Sequence, residues 1–128
     1  IPDVSGAPVI VLCSGKVYYD LLAAREAQAA TDIPLVRIEQ LYPFPEAELT
    51  ELLKGCPDGT EVRWVQEEPS NMGAWRFLRD HAWDGVLSRM TLKRVSRPES
   101  ATPATGSGAS HRVEHAQLLA EALATETD

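Results

Sequence analysis

The side chains best suited to chemistry lie just after a short apolar run. Gln66, Glu67 and Glu68 follow directly on that run, and Pro69 comes next. Amide and carboxylate groups beyond the end of a strand are where open α/β sheets place their binding crevices. The alternative is that the same groups only end a strand and fasten a loop. Because adjacent strand residues point to opposite faces, Glu67 and Glu68 are not expected to act as a paired acid and base.

A second reactive group lies in a turn between an apolar run and a helical pattern. Ser14 and Lys16 flank Gly15 in this turn. Such a turn presents a hydroxyl, an ammonium and free backbone N–H groups near the positive end of a helix, a combination that suits a phosphate or a carboxylate. The glycine spacing of a Walker phosphate loop is missing. Anion binding and a plain structural turn both remain open from these residues alone.

The region of the last apolar run is basic in an otherwise acidic chain. Its cations are Arg89, Lys93, Arg94 and Arg97. Strand geometry puts Lys93 and Arg97 on one face and Arg94 on the other. One interpretation is an edge strand protected by charge. The other is that Arg97, together with Ser14 and Lys16, holds a phosphate-bearing effector.

The histidines and cysteines suggest little chemistry. His111 and His115 lie four residues apart, but no glutamate follows His111 as the metalloprotease motif requires, so we expect an exposed pair near a helix start. No order of serine, histidine and aspartate marks a nucleophile. Cys13 and Cys56 lack the spacing of a metal site or a disulfide framework, which favours a reduced compartment. The residues therefore predict no catalytic group and no metal ligand in this chain.

Size and charge exclude several classes of protein. The 128 residues suffice for one domain that buries about two-thirds of its unfolded surface. The formal net charge of −7 argues against nucleic-acid binding, which depends mainly on neutralising phosphates. No apolar run approaches the roughly 20 residues of a membrane span, and the start lacks the features of a signal peptide. Because the chain begins at Ile1 rather than at methionine, we expect a piece of a longer polypeptide.

The elements that must position these residues alternate along the chain. Apolar runs predict strands at residues 9–13, 34–38, 61–66 and 91–95. Helical patterns follow at residues 18–30, 45–55 and 110–124, and residues 74–87 are helical or irregular. Pro45 suits the first turn of the second helix, and Ser110 is expected to cap the last. This alternation predicts a doubly wound α/β fold with a mainly parallel sheet.

This order of elements also predicts the domain limits and the place of the polar groups. Residues 1–8 are expected to be a linker from a preceding domain, residues 9–124 the α/β domain and residues 125–128 a frayed tail. Right-handed crossovers bring the carboxyl ends of parallel strands to one edge of a sheet. Four polar strand ends should meet there: Ser14 to Lys16, Glu39 with Gln40, Gln66 to Glu68, and Ser96 with Arg97.

Several blocks in this order resemble one enzyme family. They are CSGKVYYDL at residues 13–21, IEQLYPFP at 38–45, QEEP at 66–69, GAW at 73–75 and SATPATGS at 100–107, with single matches at Asn71, Arg97, Pro98 and His111. Together they resemble the C-terminal domain of the thiamine-diphosphate-dependent 2-oxoglutarate dehydrogenase decarboxylase component. The resemblance covers roughly residues 9 to 124. It implies a Rossmann-like, three-layer fold similar to the C-terminal domain of transketolases.

The resemblance also implies a function within a larger complex. That complex converts 2-oxoglutarate, coenzyme A and NAD to succinyl-CoA in the tricarboxylic acid cycle. Its decarboxylase component releases carbon dioxide on the thiamine cofactor and succinylates a lipoyl group of the succinyltransferase component. Thiamine diphosphate and magnesium are implied to lie between the two preceding domains of a homodimer, so this chain is expected to be a non-catalytic scaffold and regulatory domain. The implied location is the bacterial cytoplasm, or the mitochondrial matrix in a eukaryote.

Regulation by a small effector is a further implication of the resemblance. Actinobacterial relatives bind acetyl-CoA through this domain, and other relatives bind nucleotides such as AMP. The implied effector site in this chain consists of Ser14, Lys16, Gln40, Gln66 and Arg97. Pro98, although it belongs to the blocks that resemble the family, departs from these effector-binding relatives, which carry a second arginine at that position.

Two other functions remain open. One is a free-standing α/β module that binds a small ligand or a protein. Alternatively, the chain is the equivalent domain of a 2-oxoadipate dehydrogenase, since such relatives share the QEEP block at residues 66–69. The residues Val17, Tyr18 and Tyr19 fit the 2-oxoglutarate enzymes better. Substrate choice is implied to lie in other domains.

Overall fold

Four parallel strands form the sheet of this protein. A computed structural model describes residues 4, 6–30, 32–39, 44–81, 85–97 and 108–125. The strands in these ranges are β1 (Val9–Cys13), β2 (Leu35–Arg37), β3 (Glu61–Pro69) and β4 (Thr91–Arg97), in the order β2-β1-β3-β4. All neighbouring strands pair in parallel. The helices are α1 (Val17–Ala27), α2 (Glu46–Leu53), α3 (Trp75–His81) and α4 (Gly108–Leu123), with a 3₁₀ turn at Val86–Arg89.

The central strand β1 is covered on both faces. All five of its residues are buried, and alternate side chains enter different layers. Ile10 and Leu12 pack with residues of α2 and α3, whereas Val11 packs with residues of α1 and α4. Burial on both faces explains why this strand is apolar throughout. The sheet is the middle of three layers, which confirms the predicted doubly wound, mainly parallel α/β fold.

Helix α2 shows how local sequence sets an element. Glu46 and Glu48 place negative charge in its first turn, where the helix dipole favours it. Leu49 and Leu53 lie one turn apart and are both buried. Burial of each leucine stabilises the fold by about 1.5–3 kcal/mol. The helix begins at Glu46, so Pro45 lies at the N-cap rather than in the first turn, where the sequence predicts it.

Strand β3 runs further than the sequence predicts. It continues past Gln66 to Pro69, which pairs with Arg97 beyond a register shift that begins after Val65. Such an irregularity interrupts the regular ladder, so the strand tolerates a proline that donates no hydrogen bond. The prediction that the strand ends at Gln66 is therefore wrong. The prediction that residues 91–95 lie near the sheet edge is confirmed, since β4 is an edge strand.

The later helices also depart from the prediction. Helix α4 begins at Gly108, so Ser110 lies inside the helix and the prediction that it caps the helix is wrong. The segment predicted at residues 74–87 contains α3 and the 3₁₀ turn. Residues 82–84 and 98–107, including most of the predicted connection to the last helix, lie outside the described residues.

The residues before β1 are partly packed against the domain. Val4 is buried in the layer of α2 and α3, and its carbonyl accepts a hydrogen bond from Cys56 Sγ at 3.7 Å. The predicted division into linker, domain and tail stays a prediction. Within the described ranges, no helix is both long and apolar enough to cross a membrane.

Candidate functional site

The carboxyl ends of the strands meet at one edge of the sheet. Cys13 at the end of β1 pairs with Arg37 of β2 and with Val65 of β3, and Arg97 ends β4 beside Pro69. The edge predicted from the topology therefore exists. Two predicted site residues, Ser14 and Arg97, lie at strand ends on either side of β3, about 10 Å apart by strand spacing. Gln40, another predicted site residue, lies outside the described residues.

On the face covered by α2 and α3, the edge is held by the side chain of Gln66. This residue is 3% exposed. Its Oε1 accepts hydrogen bonds from Trp64 Nε1 at 2.8 Å and from the Trp75 backbone N–H at 3.1 Å. Its Nε2 donates to three backbone carbonyls, those of Glu68 at 3.2 Å, Pro69 at 2.9 Å and Met72 at 2.8 Å. Of the two interpretations of this segment, the Gln66 contacts favour fastening of a loop.

The loop after β3 also depends on one glycine. Gly73 has a φ of +70°, which side chains rarely adopt. A Cβ at this position would lie 3.0 Å from Gln66 Oε1. Glycine therefore both permits the turn and leaves room for the Gln66 amide.

On the face covered by α1 and α4, the edge is charged. Lys16 Nζ donates to both carboxylate oxygens of Glu67, at 3.0 and 2.9 Å, and so joins the first strand end to the third. The hydrogen bond and the charge of Glu67, with smaller contributions from Asp20 and Glu68, raise the pKa of Lys16. Because the Lys16 side chain is 79% exposed, this ion pair can be displaced easily.

His115 lies against the same carboxylate. Its Nε2 is 3.2 Å from Asp20 Oδ2 and its Nδ1 is 3.9 Å from Glu67 Oε2. One possible ligand atom from each of the three residues lies within 4.8 Å of the others. We call Asp20, Glu67 and His115 the imidazole–carboxylate cluster. The His115 side chain is 26% exposed, so the prediction of an exposed pair is wrong for His115, and the side chain of His111 lies outside the described residues.

No short motif indicates this cluster, because its members come from α1, β3 and α4. Another strand-end residue that sequence reasoning passed over is Arg37. Its guanidinium lies 5.0 Å from the ring centre of Tyr18 and 5.6 Å from that of Tyr19, whose hydroxyl accepts its hydrogen bond at 2.8 Å. Contact with Tyr19, and to a smaller extent Glu39, raises the pKa of Arg37.

The buried thiol at the edge is not an activated nucleophile. Burial, and then the charge of Glu39, raises the pKa of Cys13 to about 12, although Arg37 lowers it. The thiolate is the nucleophilic form of cysteine, so a thiol with such a pKa is unreactive at neutral pH. Cys13 thus acts as a small apolar residue of the core.

Comparison with known proteins places the chain in a family. The model of the family described as "2-oxoglutarate dehydrogenase C-terminal" matches residues 4–123. The chain is 42% identical over 115 residues to the 2-oxoglutarate dehydrogenase E1 component of Cupriavidus necator, a match that covers 90% of this chain and 12% of that protein. It is 46% identical over 118 residues to the E1 component of Azotobacter vinelandii, covering 89% and 12%.

Another relative matches more of the chain. The 2-oxoglutarate dehydrogenase E1/E2 component of Corynebacterium glutamicum is 38% identical over 123 residues, covering 96% of this chain and 10% of that protein. The chain thus spans about an eighth of the length of the E1 components named above, 12% in each case. The match to residues 4–123 covers nearly the whole fold, and the chain therefore belongs to the 2-oxoglutarate dehydrogenase C-terminal family.

Proposed function

We propose that this chain is the C-terminal domain of the decarboxylase (E1) component of a 2-oxoglutarate dehydrogenase. The observation that carries the proposal is the family match over residues 4–123, together with E1 relatives at 42% and 46% identity. In this proposal the domain supports the thiamine-binding domains of the same polypeptide in a homodimer. The lipoyl-bearing succinyltransferase component is the partner that receives the succinyl group.

The role proposed for the domain is structural rather than catalytic. Thiamine diphosphate and its magnesium ion are assigned to the other domains. At the described carboxyl edge, Trp64 and Gln66 are buried against each other, and the polar atoms of the Gln66 amide are bonded within the protein. The Gln66 amide is therefore committed to the loop after β3, which supports a structural role for this part of the edge.

The test compares the complete polypeptide with a version that ends before residue 4. We expect the complete polypeptide to reduce an artificial electron acceptor when given thiamine diphosphate, magnesium and 2-oxoglutarate. The shortened version should lose most of this activity and part of its dimer, and the 128-residue chain alone should be inactive. Greater activity with 2-oxoadipate than with 2-oxoglutarate would favour the 2-oxoadipate alternative. Unchanged activity after truncation would contradict the supporting role.

We also propose that an anionic effector, acetyl-CoA or AMP, binds at the carboxyl edge. Ser14, Lys16 and Arg97 are the proposed contacts, with Gln40 as a further one, and Gln66 holds the adjoining loop. Lys16 precedes α1 directly and is 79% exposed, so a phosphate can replace Glu67 as its partner. Breaking an exposed ion pair of this kind costs only about 1 kcal/mol or less.

Calorimetric titration with acetyl-CoA and with AMP tests the effector site. We expect Lys16→Ala to weaken binding about tenfold, because it removes one charge-assisted contact to phosphate. Lys54→Ala is the matched control, since Lys54 is 68% exposed and pairs with Glu51 on α2, which covers the other face of the sheet. Absence of heat at millimolar ligand, or equal effects of the two variants, would rule the effector site out.

A further inference from the structure

We propose that the imidazole–carboxylate cluster binds a divalent transition-metal ion, with Zn²⁺ as the best-suited ion. This inference concerns a site that the family assignment does not include, and it does not depend on the proposed function. It replaces the expectation from sequence that the chain has no metal ligand. That expectation considered residues close in sequence, whereas Asp20, Glu67 and His115 come together through the fold.

The ligand types and their spacing support the proposal. Catalytic and labile zinc sites commonly use three protein ligands, drawn from imidazole and carboxylate groups, with water as the fourth. Zinc–ligand bonds of 2.0–2.1 Å in a tetrahedron put ligand atoms about 3.3 Å apart. His115 Nε2 and Asp20 Oδ2 are 3.2 Å apart and already meet this requirement. One donor atom from each of the three side chains lies within 4.8 Å of the others, but the Glu67 oxygen lies 3.9 Å from the other imidazole nitrogen, Nδ1. Rotation of the Glu67 side chain toward Nε2 would therefore complete the site.

The three side chains extend from fixed backbone. Asp20 precedes the buried Leu21 on α1, Glu67 follows the buried Gln66 on β3, and His115 lies on α4 one turn before a buried leucine, Leu118. The backbone that carries each ligand is therefore held by the core. Sites built on helices and strands keep their ligands in place better than sites on loops.

The cluster is reachable by an ion and by water. Its side chains are 44%, 27% and 26% exposed for Asp20, Glu67 and His115 respectively. Full burial would exclude the water ligand, and full exposure would leave the carboxylates screened and mobile. Partial exposure allows entry and still keeps the charges close together.

One cation competes for the site. Lys16 Nζ holds Glu67 at 2.9 Å, and a dication on the same carboxylate would repel this ammonium. Because Lys16 is 79% exposed, it can swing into solvent when the metal binds. The proposal therefore predicts that removal of the lysine charge strengthens metal binding. This prediction also distinguishes a metal site from a purely structural contact in which the imidazole lies between the two carboxylates.

The test is calorimetric titration of the 128-residue chain with Zn²⁺, in a buffer that does not chelate the ion. We expect His115→Gln and Asp20→Asn each to weaken the tightest Zn²⁺ site at least tenfold. Glutamine retains hydrogen-bonding groups but is a poor zinc ligand, so His115→Gln separates coordination from hydrogen bonding. Lys16→Gln should bind Zn²⁺ several-fold more tightly.

Asp80→Asn is the matched control. It makes the same charge change as Asp20→Asn, but on α3, which packs against the other face of the sheet, and it should leave the Zn²⁺ affinity unchanged. Circular dichroism and the melting temperature check that each variant is folded, and Zn²⁺ should raise the melting temperature of the unaltered chain more than that of His115→Gln. Two results would overturn the proposal: no Zn²⁺ binding at millimolar concentration, or full affinity in both His115→Gln and Asp20→Asn.

Discussion

Gln66 and Glu67 are neighbours at the end of β3, yet they serve opposite layers of the protein. Gln66 is neutral, buried and bonded through both atoms of its amide on the face of α2 and α3. Glu67 is charged and 27% exposed, and its partner Lys16 is 79% exposed on the face of α1. One strand end thus combines a fixed anchor with a contact that can change partners.

The difference has a simple physical origin. An unpaired polar atom in the interior costs its full desolvation energy, so a buried amide must have all its hydrogen bonds. An exposed ion pair exchanges protein contacts for water at little cost. We infer that any ligand at this edge acts on the Glu67 face, while the Gln66 face holds the scaffold in place.

Removal of the anchor should give the largest effect. Gln66→Ala would leave Trp64 Nε1 and the Trp75 N–H without their acceptor and open a cavity in the loop. We expect the free energy of unfolding to fall by about 3–5 kcal/mol. Urea unfolding measures this change. Gln117→Ala, at an exposed position of α4, is the control and should change stability by less than about 0.5 kcal/mol.

If both glutamine variants were equally stable, the amide would not be an anchor. The Gln66 face would then be no more rigid than the Glu67 face.

Alanine substitutions at two glycines separate backbone strain from contact with the Gln66 amide. Gly73 and Gly15 have similar positive φ values, +70° and +76°, so alanine at either position meets similar backbone strain of about 1–2 kcal/mol. A Cβ at Gly73 also comes within 3.0 Å of the Gln66 amide, whereas a Cβ at Gly15 meets nothing within 4 Å. Gly73→Ala should therefore cost about 1 kcal/mol more than Gly15→Ala. Equal losses in thermal unfolding would mean that the Gln66 amide moves aside freely.

Much of the fold could be predicted because its signals are local. The apolar run of β1 and the paired leucines of α2 each specify one element, and parallel topology then places the strand ends at one edge. The end of β3 was missed because the pairing of Pro69 with Arg97 depends on an irregularity between two strands. Contacts between distant segments set this pairing, whereas a proline in the sequence predicts that a strand has ended.

The site was less predictable for the same reason. Sequence order placed Ser14, Gln66 and Arg97 at the sheet edge, but left open whether Gln66 binds a ligand or fastens a loop. The approach of His115 to Asp20 depends on how α4 packs on α1, which no short motif encodes. Contacts between elements distant in sequence therefore require the structure.

Glu61, at the opposite end of β3, is a partly buried charge whose effect on stability can be measured. Burial raises the pKa of Glu61, but hydrogen bonds from Arg63 and Lys93 and their charges lower it by more, so the folded pKa is below the ordinary value of 4.5. A lowered folded pKa means that the unfolded chain binds more protons. The stabilisation is then complete above about pH 5 and is lost as pH falls through the folded pKa.

We expect Glu61→Gln to lose about 1 kcal/mol at neutral pH and to show a smaller loss of stability than the unaltered chain on acidification. Unfolding measured at several pH values between neutral and acid gives the difference. Glu48→Gln, at an exposed position in the first turn of α2, removes only a helix-dipole contribution of about 0.5 kcal/mol and should differ from the unaltered chain much less than Glu61→Gln does. Parallel curves for the Glu61 variant and the unaltered chain would show that this carboxylate does not contribute.

The smallest change in stability is expected at the exposed ion pair between Lys16 and Glu67. Lys16→Gln removes the ion pair with Glu67, and the free energy of unfolding should change by less than about 1 kcal/mol, because the lysine side chain is 79% exposed. The residual effect should disappear at high salt, since screening weakens exposed pairs. Lys54→Gln, which removes the exposed pair with Glu51, should behave in the same way. If Lys16→Gln lowered the free energy of unfolding as much as Gln66→Ala does, both faces of the strand end would be rigid. A ligand could then not replace Glu67 as the partner of Lys16 without destabilising the domain.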